Sequence, residues 1–336
     1  MQNLQIASSP HLSHPNTSTR RMMLDVILAL MPALGVSFWV FGWHAVNQIG
    51  LSILACMAGE WIFSLMRGRK APLDDFSAII TGLILGMSLP WSAPWYVPVL
   101  GGILAVGLGK AVYGGLGYNI FNPAMVGRAF VMLSFSLSMG AGAYILPQEN
   151  AAPEAEARIS VLTEATPLTQ LKQIVKEGGD ISAQMNGGSL ISALTGQRNG
   201  SLGEVSVLAL MAGGIYLIVR RTAAWRIPLG MCLAVFILGA CVSLTHSPWV
   251  YGSAYLLNGA VIFAAFFIAT DPVTSPVTRA GQWIFGIGIG VFTMIFRLFS
   301  GYPEGVMFAV LIMNATVPLL NRGTIPTPFG GEKVKG

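Results

Sequence analysis

The chain has 336 residues, of which 54% are hydrophobic and only 10% charged, with a mean hydropathy of +0.66. Soluble domains carry roughly a quarter charged residues, so the composition excludes an ordinary soluble protein and predicts an integral membrane protein. In that setting the net charge of +5 bears on membrane orientation and does not point to nucleic acid.

The first twenty residues, MQNLQIASSPHLSHPNTSTR, contain no apolar h-region, so no cleavable signal peptide is expected. Residues 1–21 read as a cytoplasmic tail. Apolar runs then recur near 22–43, 45–66, 74–91, 94–113 and 122–146, a first membrane half over 22–146. A polar interval, 147–202, interrupts them. Five more runs follow near 203–219, 226–245, 250–270, 281–299 and 304–320, giving a second half over 203–320 and a cytoplasmic tail at 321–336. A bilayer-spanning helix needs roughly 17 to 25 residues, and the shortest runs are marginal. The expected fold class is an all-α polytopic membrane protein with ten transmembrane helices in two groups of five.

The basic residues test this count. With the N-terminus cytoplasmic, fourteen of the 19 Lys and Arg fall at inner ends, among them Arg20, Arg21, Arg67, Lys110, Arg128, Arg220, Arg226 and Arg279. The outer side receives Arg158, Lys172, Lys176, Arg198 and Arg297. That asymmetry obeys the positive-inside rule and makes the 147–202 loop extracytoplasmic. Five segments per half is odd, so the second half enters from the opposite side, as an inverted repeat requires. The stretches DFSAIITGLILG and EVSVLALMAGGI hint at such a repeat.

The 40 glycines suit close helix packing or broken backbone lining a path. GYNIFNPA (117–124) and ATDPVTSPVT (269–278) favour the second locally, because each joins Pro to hydrogen-bonding side chains at an inner boundary.

Chemistry-bearing residues are few. Cys56, Cys232 and Cys241 form no ligand set and read as small buried hydrophobes. His11, His14, His44 and His246 are scattered and read as surface groups. No metal site, catalytic pair or nucleotide-binding loop is expected, so any redox chemistry must come from a bound cofactor. Intramembrane acids are costly and default to function. Asp25, Asp271 and Glu304 lie at segment ends, while Glu60 lies about two turns inside one. Glu60 suits either proton or cation handling or a pair with a neighbouring helix or another protein of a complex. Asp271 suits a local turn cap.

In the polar loop, Thr166-Pro167 reads as a helix start: threonine at N-cap, proline at the first helical position, then LTQLKQIVKE to Gly178-Gly179. A helix N-terminus also receives phosphate well.

The blocks YGGLGYNIFNPAMVGRAF, GSLGEVSVLALMAGGIYLI, FFIATDPVTSPVT and GYPEGVMFAVLIMNATVPL occur in this order. Together they resemble the RnfD and NqrB family, which comprises the D subunits of the Rnf (Rsx) electron transport complexes and the B subunits of sodium-translocating NADH:quinone reductases. The likeness runs from about residue 20 to 322. The resemblance implies FMN joined by its phosphate to Thr166, attached by a separate flavin transferase, with Thr163 aiding recognition and Thr169 a surface residue. Glu164 and Ser160 depart from the usual acceptor motif. It further implies a second, noncovalent flavin (riboflavin) between helices, with Asn119, Asn122 and Asp271 as candidate contacts. The implied partners are iron–sulfur and flavin subunits in a bacterial inner membrane, in a complex coupling electron relay to cation movement. The rival readings are a cofactor-free channel or transporter and a structural component with a decayed flavin site.

Overall fold

The computed structural model describes residues 5–6, 12–13, 18–69, 72–139, 167–176, 179, 181, 193–194, 200–204, 206–242, 247–301 and 304–325. Apart from a two-residue pairing of β1 (Gln5–Ile6) with β2 (Leu12–Ser13) and an isolated bridge, regular structure among these residues is helical.

The first half comprises α1 (Thr19–Phe41), α2 (Trp43–Met66), α3 (Ser77–Ser88), α4 (Tyr96–Val106, continued by a π turn over Gly107–Ala111) and α5 (Pro123–Ser134). A short helix from the polar interval, α6 (Pro167–Lys176), follows. The second half comprises α7 (Val207–Val219), α8 (Arg226–Val242), α9 (Pro248–Leu257), α10 (Val261–Phe263, continued by a π turn over Ala264–Ile268), α11 (Arg279–Phe299) and α12 (Val306–Thr324). Among the described residues only α1, α2, α11 and α12 are individually long and apolar enough to cross a membrane, and α9 with α10 makes a fifth span bent by 63°. Shorter apolar helices account for the rest, so each of the ten predicted apolar runs contains one span, one half-span or one bent pair. This is a multi-pass membrane protein.

The outer surface is apolar, and the largely apolar core also takes in polar and charged groups. Leu28, Leu54, Trp61, Leu133 and Ile237 face outward, while Asp25, Gln48, Glu60, Lys110, Arg128 and Arg297 are buried. Water cannot solvate the outer surface of such a bundle, so apolar groups cover it and polar groups find partners inside.

The half-helices explain why the runs at 74–91 and 250–270 looked continuous. The 12 residues of α3 span about 18 Å, short of the roughly 30 Å hydrocarbon core. It starts after Phe76, held in the left-handed region at φ +61°, and α10 starts shortly after Gly259, at φ +78°. Each is followed by two prolines at the same spacing, in LPWSAP (89–94) and DPVTSP (271–276), and then by a longer helix. This pairs DFSAIITGLILG with NGAVIFAAFFIA and not with EVSVLALMAGGI, a correction to the internal likeness read from sequence. The α4 helix packs on α2 and α5, as α11 packs on α8 and α12.

Helix ends alternate between two faces of the bundle, and the long-range bonds respect that alternation. Asp25 meets Arg220 and Thr222 on the face where α1 begins. On the opposite face Leu202 donates its N–H to the Leu89 carbonyl, and its own carbonyl accepts from Ser37. On this alternation α3 and α10 run in opposite directions. The halves meet most closely where α1 crosses α7. A Cβ at Gly213 would overlap the Ala29 carbonyl oxygen, so only glycine allows that approach.

Candidate functional site

On the face where α1 begins, the π turn ending α4 carries Lys110 into the protein, with 2% of the residue exposed. Its ammonium donates to Glu60 Oε1 on α2 and to Ser77 Oγ at 2.6 Å on α3. Ser77 in turn donates to Asp75 Oδ1 through its hydroxyl at 2.6 Å and its backbone N–H at 2.8 Å. A π turn places one extra residue in the helix, which re-aims the following side chains; here it delivers a cation to the start of a half-helix. Glu60 Oε2 is buried and has no hydrogen-bond partner among the described residues. A cavity of about 240 Å³, lined by Glu60, Arg67, Arg69, Asp75 and Lys110, opens beside it.

Lys110 also borders a second cavity, of about 70 Å³, lying between the two halves. There the GYNIFNPA and DPVTSP segments meet. Asn122 donates from its side chain to the Ile268 carbonyl (3.4 Å) and from its backbone to Asn314 Oδ1 (3.2 Å). Asn314 donates to the Thr274 carbonyl at 3.0 Å. Two side chains therefore satisfy the peptide groups that the interrupted helices release. Asp271 accepts from Val273 N–H at 3.2 Å and Thr274 Oγ1 at 3.0 Å, so it caps its own turn as expected.

On the opposite face a second set of charges sits at the break between α9 and α10. Arg297 donates to the carbonyls of Tyr255 and Asn258 and to Glu304 Oε1 (3.0 Å), while Glu304 Oε2 accepts from the Ala260 N–H at 2.9 Å. The cation thus meets the C-terminal carbonyls of α9 and the carboxylate the N-terminal amide of α10, each favoured by the helix dipole. Against this break lies α6. Leu168 and Leu171 are buried, the Leu168 side chain lies beside Gly259, and Lys172 donates to the Ser300 carbonyl. Burial there, with a smaller contribution from the charge of Lys176, holds the Lys172 ammonium below the usual lysine range.

The two faces are far apart. The 21 residues of α11 connect them, a rise of about 31 Å. Comparison with known proteins gives the family: the chain matches the sequence profile of the NQR2, RnfD, RnfE family over residues 5–330. The chain belongs to that family. It is 37% identical over 333 residues to the D subunit of the Na(+)-translocating ferredoxin:NAD(+) oxidoreductase complex of Acetobacterium woodii, covering 99% of this chain and 97% of that one. It is 39% identical over 346 residues to the D subunit of the ion-translocating oxidoreductase complex of Halorhodospira halophila, with 98% and 96% covered. The D subunit of the proton-translocating ferredoxin:NAD(+) oxidoreductase complex of Clostridium ljungdahlii is 36% identical over 340 residues, with 98% and 96% covered.

Within this NQR2, RnfD, RnfE family member, Thr166, Thr163, Glu164 and Ser160 lie outside the described residues, as do His11, His14 and His246. The helix after Thr166 does begin at Pro167, and it ends at Lys176. Thr169 is half-buried and makes interactions of its own, so it is not a plain surface residue. Asn119, Asn122 and Asp271 do line one cavity together. Their amide and carboxyl groups suit the polar edge of a flavin. Of the cysteines, Cys56 is buried and Cys241 is exposed on the outer surface of α8, against the expectation that all three are buried. His44 is exposed, as expected, with its ring edge-on to Trp91.

Sequence reasoning placed Lys110 and Arg297 among the charges at the ends of segments, and both are buried partners of an acid. The available signal was position: Lys110 interrupts an apolar run, and an ionisable residue inside a span is a functional candidate.

Proposed function

We propose that this chain is the D-type membrane component of an ion-translocating electron transport complex. In this reading it carries FMN as a phosphodiester on Thr166 and relays electrons coupled to cation movement. The observation that carries the reading is the docking of α6. The residue after Thr166 opens a helix whose Leu168, Leu171 and Lys172 are fixed against the membrane halves, so a group on Thr166 would be held close to the bundle. The names of the relatives, D subunits of ferredoxin:NAD(+) oxidoreductase complexes, support the same role.

When bound, the flavin supplies one- and two-electron chemistry. The chain's own contribution is anchorage and position: α6 sets where the cofactor sits, and the Arg297–Glu304 pair neutralises the helix ends beneath it. With the N-terminus cytoplasmic, as the basic residues favour, Thr166 is periplasmic in the bacterial inner membrane. The roughly 31 Å that separates the two faces calls for further carriers, supplied by iron–sulfur and flavin subunits. For cation or proton movement, the chain offers the buried Glu60–Lys110–Ser77–Asp75 series and the cavity it borders. The test is flavin fluorescence of the denatured chain on a gel, from cells containing a flavin transferase. A fluorescent wild-type band and a dark Thr166→Ala band support the reading, and a dark wild-type band overturns it.

A further inference from the structure

A cavity of about 740 Å³ opens on the face where α1 begins, between the turn joining α7 to α8 and the loop joining α10 to α11. Arg221, Arg226 and Arg279 line it, and among the described residues no Asp or Glu does. Arg221 and Arg279 are exposed, and among the described residues neither makes an ion pair. The Arg226 guanidinium lies 5.1 Å from the centre of the Trp225 ring and donates to Gln282 Oε1 at 3.3 Å, so it is held in place. Trp225 meets Trp283 edge-on, with ring centres 5.8 Å apart. Arg221 adopts φ +59°, a conformation uncommon outside glycine, and such outliers cluster at ligand clamps and switches.

The position decides the ligand class. The cavity sits where α7 and α10 end and α8 and α11 begin, which is the depth of lipid headgroups, and tryptophan is enriched at that depth. From its rim the exposed residues Leu229, Leu233 and Ile237 continue along one side of α8, spaced i, i+4, i+8. They form a stripe about 12 Å long, matching an acyl chain running inward from the boundary. A soluble anion would use the arginines but not the stripe. An acidic protein surface would likewise leave the stripe unexplained.

We propose that this cavity is a binding site for one anionic phospholipid, whose phosphate is held by Arg221, Arg226 and Arg279 and whose acyl chain lies along Leu229, Leu233 and Ile237. Basic pockets between transmembrane helices recognise anionic headgroups in this way. The site does not depend on the flavin reading and tests separately from it.

The experiment is native mass spectrometry of the detergent-solubilised full chain, titrated with phosphatidylglycerol or with phosphatidylcholine of the same acyl chains. Wild type retains a single phosphatidylglycerol at least tenfold more tightly than phosphatidylcholine. Each arginine near the surface contributes about fivefold, so Arg221→Gln with Arg279→Gln brings phosphatidylglycerol down to the phosphatidylcholine level. The matching pair of lysine substitutions keeps binding, because a phosphate accepts a point charge, and circular dichroism reports whether each variant is folded. Equal retention of both lipids by wild type overturns the proposal, as does unchanged retention by the folded double glutamine variant. Displacement of the lipid by millimolar inorganic phosphate would reassign the cavity to a free anion. Cross-linking of Arg279→Cys to another protein of the intact complex, without retained lipid, would reassign it to a protein partner.

Discussion

Replacing Lys110 with methionine isolates the charge at the start of α3. Methionine keeps most of the aliphatic stem and its packing, and the Ser77–Asp75 bond at 2.6 Å does not involve Lys110. What disappears is the cation facing Glu60, whose other carboxylate oxygen has no partner among the described residues. Removing one member of a buried pair costs about 3–5 kcal/mol, because the remaining charge is left in a low-dielectric site. Neutralising both members removes that penalty, so Glu60→Gln combined with Lys110→Met should recover most of the loss. The assay is thermal unfolding of the purified protein in detergent, followed by the fluorescence of its eight tryptophans, which lie in both halves. At roughly 2 °C per kcal/mol for a chain of this size, Lys110→Met should unfold about 6–10 °C lower. The double variant should unfold within about 3 °C of wild type on the same scale. A single variant that unfolds with wild type, or a double variant as unstable as the single, would refute the reasoning that the pair exists to neutralise Glu60.

Two further substitutions test the packing. Gly213→Ala drives a methyl group into the Ala29 carbonyl oxygen. Because a backbone atom cannot rotate away, at least the usual overpacking cost of about 1–3 kcal/mol applies, read as a lower unfolding midpoint. Leu171→Ala removes a side chain that is buried in the core. It costs about 2–5 kcal/mol but acts on α6 alone, so hydrogen exchange of the 167–176 amides should accelerate while α11 and α12 stay protected.

The membrane halves were legible in the sequence because hydropathy is a property of local composition. All ten apolar runs hold helices, the turn at Asp271 is capped by its own carboxylate, and α6 begins at Pro167, where the Thr-Pro signal put it. Hydropathy is blind to a break that stays apolar, however. The run at 250–270 hides the 63° bend, because Asn258 and Gly259 interrupt the helix while lowering its average hydropathy only a little. Partners distant in sequence were equally hidden. Lys110 finds Glu60 fifty residues away, and Asn122 reaches Asn314 across 192, pairings that depend on how helices cross. Counting basic residues by side treated Lys110 and Arg297 as surface charges for the same reason. The proposal for Thr166 rests on a motif, since the residues beside it in sequence carry no group that performs redox chemistry.

Whether Thr166 carries the redox group of this protein is tested most directly by the intact mass of the chain purified from cells with an active flavin transferase. The expected result is a mass increase equal to one FMN less one water, lost completely in Thr166→Ala and retained in Thr163→Ala. An unmodified wild-type mass, or a flavin adduct that survives Thr166→Ala, would contradict it.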